Sequence, residues 1–599
     1  MRADNGDRLG ITRSIALDLG IDFAGLIGDP AACVSQATVD RLAKYSVLRT
    51  EFSDLSTQHL AGDPSGASQA RPVRTAGDAI DWLEQMAKRI VAPVIESLVK
   101  QSPARVDVAT IARHHLECDG TFTTATLRFF AETIWPRLVR VSDEIDHVLR
   151  ALDGRFVPPG ASGAPTRGMA NVLPTGRNFF SLDIRTIPTA TAWRVGRAAA
   201  ESLLTRHRER AGRFPESVAM VVWGTSNMRT GGDDIAQILA LLGVRPRWQG
   251  DNARVVGVDV IPLAELGRPR IDVTVRMSGF FRDAFPNIVR LIDEAIDRVS
   301  RLDEPLDMNF IRSHVSREVT ELASELGLDE AERRARFRIF SSPPGGYGAG
   351  LLPLIDSREW ATDADLAEVY LNWGCCAYAR MPLPLPLGEG TGSTRGAASH
   401  NGLEAVPARR EFERRLARTD VVTQNQDNHE HDIFDSDDYF QFHGGMIAAV
   451  RSLTGRDPSA YLGDTSQPDR PKTRTLCEEA CRVFHARVVN PKWLRGVMRH
   501  GYKGAVEMAA TVDYLFGYDA TTGVLDDWMY EELAARYLFD EHVQQFLREH
   551  NPWAERGMTE RLLEAAERGL WENPHAATLD RLRQSFLASD AHLETVGSE

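Results

Sequence analysis

Residues 217–243, "SVAMVVWGTSNMRTGGDDIAQILALLG", read as a strand, a glycine-bearing loop and a helix in succession. The opening "SVAMVVWG" is a short apolar run rich in valine, the pattern of a strand covered on both faces. "TSNMRTGGDD" has no apolar period and reads as loop. "IAQILALLG" has helical apolar spacing and a terminal glycine, Gly243, suited to the left-handed end of a helix. Strand, loop and helix make a βα unit, and such units bind ligands at the carboxyl ends of their strands. Gly231 and Gly232 stand near the helix start, where an anion can be met by backbone N–H groups. The loop is neither GxGxxG nor GxxxxGK[ST], so it carries no nucleotide signature.

Working outward, "TAWRVGRAAAESLLTRHRERAG" (191–212) reads as a helix, and "RVVGVDVIPLAEL" (254–266) and "RIDVTVRMSG" (270–279) as two further strands. The expected architecture is a multidomain α/β protein, with Rossmann-like βα units over 151–300. Residues 1–150 form a mainly helical region, with amphipathic stretches such as "DAIDWLEQMAKRIVAPVIESLVK". Between these, "RFVPPGASGAPTRGMANVLPTGRN" (155–178) breaks regular structure and reads as a linker, or as a ligand-facing loop carrying Arg167, Arg177 and Asn178. Residues 301–410 return to helix, interrupted by the Gly/Pro loop "RIFSSPPGGYGAGLLPLID" (338–356) and by a flexible insertion over 381–407. Residues 411–590 complete the chain as a mainly helical region.

The chain has 599 residues, 43% hydrophobic and 26% charged, with a formal charge of −14. That charge argues against non-specific nucleic-acid binding, which needs a basic footprint. No apolar run approaches the ~20 residues of a membrane span, and the start has no secretory pattern. Six cysteines without a paired zinc-ligand spacing read as reduced thiols, so a cytoplasmic location is expected.

The densest chemistry lies at 427–445, "DNHEHDIFDSDDYFQFHGG", with three histidines and six acidic side chains in nineteen positions. Imidazole and carboxylate together suit a borderline divalent ion such as cobalt or zinc. Three readings compete: a metal site, a set of proton-transfer groups, or a solvated charged loop. In the third, Asp437 or Asp438 caps the next helix and Gly444-Gly445 serves close packing. A second cluster lies in "NPKWLRGVMRHGYKGAVEMAATVDYLFGYDATTG" (490–523). If its middle is helical, His500, Lys503 and Glu507 fall near one stripe, as a proton shuttle or as a salt-bridged ridge. No P-loop, GxSxG elbow or HExxH motif occurs, so ATP use would need a partner and the simple hydrolase readings lack their frame.

Six stretches together resemble one family: residues 163–196, 221–246, 261–287, "RIFSSPPGGYGAGL" (338–351), "NHEHDIFDSDDYFQFHGGM" (428–446) and 490–523. In that order they look like the carboxyl-terminal half of the CobN-type large subunit of aerobic cobaltochelatase, related to the large, H-type component of magnesium chelatase. The likeness covers about residues 140–575. It implies a subunit that binds a tetrapyrrole, hydrogenobyrinate a,c-diamide for the cobalt enzyme, and inserts cobalt(II), its substrate ion. Mg-ATP would be hydrolysed on an AAA+ partner working with a companion small subunit, and no tightly bound cofactor is expected. Metal insertion removes two N–H protons from the ring while the ion sheds water, which calls for a base and transient ligands. The resemblance assigns catalysis first to His429, Glu430, His431 and Asp432, then to His500 and Glu507. It gives the ion to His429, His431, Asp435 and His443. Arg177, Asn178, Arg268, Arg270 and Tyr347 are assigned to the substrate, the arginines as bidentate partners of ring carboxylates. One departure is plain: no segment of the family's "HG-x-LEW-x-PGK" type occurs, so three readings stand open: a fragment, a split subunit with a separate amino-terminal half as its partner, or a diverged copy without chelatase activity. The alternatives are a tetrapyrrole carrier without chelatase activity, a magnesium-chelatase-like subunit, or a metal-dependent hydrolase.

Overall fold

The computed structural model of the protein describes residues 11–23, 26, 33–44, 76–100, 105–116, 120–161, 172–180, 182–250, 253–380, 398–400, 402–468 and 470–596. They belong to two compact units, Met1–Ser181 and Leu182–Glu599.

Among its described residues the first unit is mainly helical. Helices Ile11–Asp18, Ala76–Lys100, Val108–Leu116 and Thr121–Phe129 bury Ile15, Leu83, Ile90, Val94 and Leu127. The Asp18 carboxylate accepts from the N–H groups of Phe122 and Thr123, at 3.0 and 2.8 Å. It thereby satisfies donors that the helix start leaves unpaired. β1 (Pro159–Ala161) and β2 (Asn178–Phe180) form a parallel pair. Arg177 and Asn178 are exposed at the start of β2, while Arg167 lies outside the described residues.

The second unit is built on one nine-stranded sheet. Its strands are β3 (Ser217–Val222), β6 (Asp272–Met277), β7 (Ile339–Ser341), β8 (Cys376–Arg380), β9 (Ala398–His400), β10 (Leu403–Pro407), β11 (Val421–Gln426), β12 (Ser459–Asp464) and β13 (Lys472–Thr475). The spatial order is β13-β12-β11-β3-β6-β7-β8-β10-β9. The five strands from β12 to β7 run parallel, and antiparallel strands extend both sides. Parallel sheets are covered on both faces. On β3, Ala219 and Val221 face one core, while Val218, Met220 and Val222 face the other. The remaining pair, β4 (Val244–Trp248) and β5 (Val255–Val260), is a separate antiparallel ribbon. The strand expected at 254–266 therefore stands outside the main sheet.

Several expectations change. The sheet draws strands from 217 to 475, so it crosses the expected divisions at 300 and 410, and the region 411–590 contributes three strands. "TSNMRT" is helical within Gly224–Thr230, because buried Asn227 donates to the Trp223 carbonyl at 2.8 Å and closes the turn. Of the expected flexible insertion, 381–397 and 401 lie outside the described residues, and 403–407 is the ordered strand β10, with Leu403 and Ala405 buried in the core. Among the described residues no helix is long and apolar enough to cross a membrane.

Candidate active site at the carboxyl edge of the sheet

The chain lays down β3, β6 and β7 in one direction, then returns to place β11 and β12 on the other side of β3. Strand order reverses between β3 and β11, and open α/β sheets bind ligands in the crevice at such a switch point. The histidine-rich stretch begins there, immediately after β11. Across the switch, the Arg229 guanidinium grips the Asp427 carboxylate with two bonds, 2.7 and 2.8 Å. This joins the helix after β3 to the loop after β11. Asn428 shapes the loop, its side-chain oxygen accepting from the N–H groups of Glu430 and His431 at 3.0 and 3.3 Å. That is the usual way an asparagine imitates a backbone turn.

His429 is presented outward from this turn and held by the end of β12. Its Nε2 lies 3.0 Å from Asp464 Oδ2 and 3.2 Å from Ser466 Oγ. Ser466 Oγ donates to the other Asp464 oxygen at 2.6 Å, and Arg474 donates to Oδ2 at 3.0 Å. An ionised carboxylate only accepts, so in the neutral ring Nε2 carries the hydrogen and Nδ1 the lone pair. The ring keeps 47% of its surface in solvent, whereas Asp464 keeps 10%. Burial pushes the Asp464 carboxyl up, but the hydrogen bond and charge of His429, then Ser466 and Arg474, outweigh it. The group is held well below the ordinary carboxylate range.

The other predicted residues separate. His431 is exposed, and its Nδ1 lies 3.1 Å from Asp435 Oδ1, four residues on in the loop. Burial raises the Asp435 carboxyl, against the lowering bond from His431. Glu430, which precedes His431, is exposed. Asp432 is buried and accepts two bonds from Arg487, 2.6 and 2.9 Å, and one from the Phe434 N–H. The expectation that it acts in catalysis meets a carboxylate already occupied in binding the loop to the helical region. His443 is fully buried, and its Nδ1 lies 2.8 Å from the Tyr518 hydroxyl. Burial pushes its pKa down to about 4, so it is a neutral core group. The three histidines thus meet three different partners. Among the described residues no group of three or more His, Cys, Asp or Glu side chains is placed to hold a metal ion. The cap of the following helix is Ser436 rather than Asp437 or Asp438, its hydroxyl accepting from the Asp438 N–H.

His500 and Glu507 do not share a helix. The first helix ends at Met498, Gly501 takes φ +55°, and the next begins at Tyr502. Exposed Glu507 pairs with Lys503 at 2.6 Å, the salt-bridged ridge of the alternative reading. The arginines of "GRPRID" also turn inward. Arg270 is fully buried and binds Glu304 at 2.7 and 2.8 Å and the carbonyls of Gly243 and Ile261. Arg268 donates to the carbonyls of Ala240 and Pro269 at 2.6 and 2.8 Å. These bonds tie Arg268 to a helix end and the adjoining loop, whereas all the guanidinium nitrogens of Arg270 are engaged within the fold. Tyr347, by contrast, lies on the loop after β7 with its ring exposed.

Sequence reading missed Arg229, Asp427, Asp464 and Ser466. Beneath them lies a buried polar layer that it also missed: Asp234 accepts from Asn425 and Asn227, both at 2.8 Å. Burial raises the Asp234 pKa to about 6, opposed by those bonds and supported by nearby Asp427.

The profile of the CobN/Magnesium Chelatase family matches residues 1–578. The chain is 45% identical over 575 residues to the aerobic cobaltochelatase subunit CobN of Pseudomonas aeruginosa, covering 95% of this chain and 41% of that one. It is 35% identical over 463 residues to the H-type magnesium-chelatase polypeptide of Cereibacter sphaeroides, covering 77% of this chain and 36% of that one. Among solved structures, the catalytic subunit of cobaltochelatase from Mycobacterium tuberculosis matches with a TM-score of 0.76 and 50% identity, over 89% of this chain and 41% of that one. The chain therefore spans about two fifths of these relatives' length. With the family profile, the sequence identities and the structural match all in agreement, the chain belongs to the CobN/magnesium chelatase family.

Proposed function

We propose that this chain carries the tetrapyrrole- and proton-handling part of a cobaltochelatase large subunit, acting on hydrogenobyrinate a,c-diamide with cobalt(II) as the ion inserted. The observation that carries the reading is His429, oriented by Asp464 and Ser466 at the switch point of the sheet. Its Nδ1 lone pair accepts the ring N–H protons in turn and passes each to water, and the imidazolium formed each time is stabilised by Asp464, which stays ionised. His431 and Asp435, 3.1 Å apart on the same loop, are a transient ligand pair for an ion that keeps part of its water until ring nitrogens replace it. Cobalt is preferred to magnesium because imidazole suits cobalt better, and because identity to the cobalt relative is 45% against 35% for the magnesium one. ATP hydrolysis belongs to an AAA+ partner with its companion subunit.

The test is cobalt insertion in the reconstituted complex, followed by the absorbance change of the tetrapyrrole. His429→Ala is expected to lower the turnover rate by at least a hundredfold, within the range that a general base supplies. Wild-type rates in that variant overturn the assignment. Tight tetrapyrrole binding with no insertion by the wild-type complex points instead to a carrier.

A further inference from the structure

On the β6 side of the switch point, the same edge of the sheet carries three exposed aromatic rings on three different elements. Phe280 follows β6, Tyr347 follows β7 and Trp373 ends the helix Asp363–Gly374; they are 41%, 58% and 42% exposed. Single exposed aromatics are ordinary, but these are linked and held. A Cβ on Gly224 would come within 2.5 Å of the Phe280 ring, and one on Gly279 within 2.6 Å of the Tyr347 ring. Only glycine lets the two rings lie this close to the chain. The Tyr347 hydroxyl donates to Asp283 at 2.6 Å, and the Trp373 indole N–H donates to the Tyr347 carbonyl at 2.9 Å. Beneath, the fully buried Arg282 donates to the carbonyls of Ser342, Pro343 and Gly346 at 2.9–3.1 Å, with its guanidinium carbon 5.4 Å from the Tyr347 ring centre. The loop is thus fixed while Tyr347 itself stays 58% exposed.

We propose that Phe280 and Tyr347, flanked by Trp373, form a stacking platform for the face of a planar conjugated macrocycle. This rests on the reading of the chain as a tetrapyrrole-handling subunit, and adds where the ring lies. Rings fixed in the free protein bind flat ligands without losing rotamer freedom. β6 and β11 are two strand positions apart, so Phe280 and His429 leave parallel strand ends separated by roughly 10 Å in the sheet direction. A macrocycle resting on the platform therefore reaches toward His429 with its edge.

The experiment is a fluorescence titration of the full chain with hydrogenobyrinate a,c-diamide, comparing Phe280→Ala, Tyr347→Ala, Tyr347→Phe and Trp553→Ala. Trp553 is an exposed tryptophan on the helix Pro552–Glu567 and serves as the control for adsorption to any surface ring. The platform predicts that each alanine variant at 280 and 347 raises Kd about tenfold. Tyr347→Phe, which keeps the ring, and Trp553→Ala should stay within about twofold of wild type. Saturable wild-type binding that is unchanged in both alanine variants overturns the platform and leaves the proposed function standing. Equal weakening in all variants, Trp553→Ala included, means non-specific adsorption and also overturns it. No saturable binding by the wild-type chain overturns the underlying reading and the platform together. Circular dichroism on each variant, with Tyr347→Phe as the conservative partner, separates lost folding from lost stacking.

Discussion

Asp464→Asn isolates the part of the site that depends on charge rather than shape. The carboxylate receives four hydrogen bonds: His429 and Arg474 on Oδ2, and the Ser466 hydroxyl and N–H on Oδ1. An asparagine of the same outline keeps the Oδ1 pair and places an amide –NH2 where Oδ2 stood, so two N–H donors face a third donor. A bond to a charged partner contributes about 1.5–3 kcal/mol when sheltered. His429 is half exposed, and water replaces part of its loss, so about 1 kcal/mol is expected there. Arg474 keeps Glu479 at 3.2 Å, which limits its loss to a similar amount, so the fold should lose about 2 kcal/mol in all. The effect on reaction is separate. Without the carboxylate the imidazolium loses its counter-charge, and about 2 kcal/mol of lost stabilisation slows proton acceptance about thirtyfold. Insertion should fall by that factor at an unchanged KM for the tetrapyrrole, because Asp464 orients the base and does not touch the ring. Nitrogen NMR of the His429 imidazole should show the tautomer with hydrogen on Nε2 in the wild type and a mixture in the variant. Insertion within threefold of wild type, together with an unchanged tautomer, would refute the dyad.

Three more predictions are independent of that one. Arg229→Ala and Asp427→Ala should each destabilise the unit by about 2–3 kcal/mol, and the double variant by little more, since either change strands its half-buried partner; denaturant titration of all four proteins closes the cycle. Gly444→Ala should cost about 2 kcal/mol or more, because its Cβ would sit 2.2 Å from the Thr521 hydroxyl oxygen; a variant as stable as wild type by thermal unfolding contradicts that packing. Asp519, which accepts from the Tyr530 hydroxyl at 2.7 Å, is raised to about 6 by burial, so the folded state holds a proton that the unfolded chain has released. Stability should fall by about 3 kcal/mol as pH rises from 4 to 7, relative to Asp519→Asn, and a pH-independent difference in urea unfolding would negate it.

How much of this was legible in the sequence follows from where each signal is stored. The strand at 217–222 and the helix ended by Gly243 announced themselves, because burial on both faces and a left-handed helix end leave local marks. β11 left none. Its last four residues, Thr423, Gln424, Asn425 and Gln426, are all buried, yet they spell a loop, because their partners come from other elements: Asn425 donates to Asp234 and Gln237. The histidines of 427–445 were legible by type, but type does not report burial. His443 and Asp432 have the chemistry of a site and the environment of a core. The residues that orient His429 come from β12 and the loop beyond it, 35 and 37 positions away, and no motif spacing ties them to the histidine. The one signal that was available is positional: "AYLGDTS" (460–466) ends an apolar run in an acid and a hydroxyl, at the end of a strand where ligands are met.

Burial at His443 makes the acid side of this protein's stability testable without any ligand, and with a sign opposite to Asp519. Its pKa is pushed down to about 4, whereas an unfolded histidine titrates near 6.5. Between those values the unfolded chain binds the extra proton, so stability is fully present above about pH 6.5 and is lost as pH falls toward 4. The difference of about 2.5 pH units corresponds to roughly 3 kcal/mol. This window overlaps that of Asp519, where stability is lost as pH rises, so the two contributions oppose each other in the wild type. Only the single variants expose them. In His443→Gln the acid-side loss disappears, and what remains is the fall with rising pH that the buried carboxyls impose, Asp519 and Asp234 among them. The wild-type-minus-variant difference must therefore slope upward with pH for His443→Gln and downward for Asp519→Asn. Two slopes of the same sign would mean that one of the two groups is not buried as the core packing around Tyr518 and Tyr530 places it.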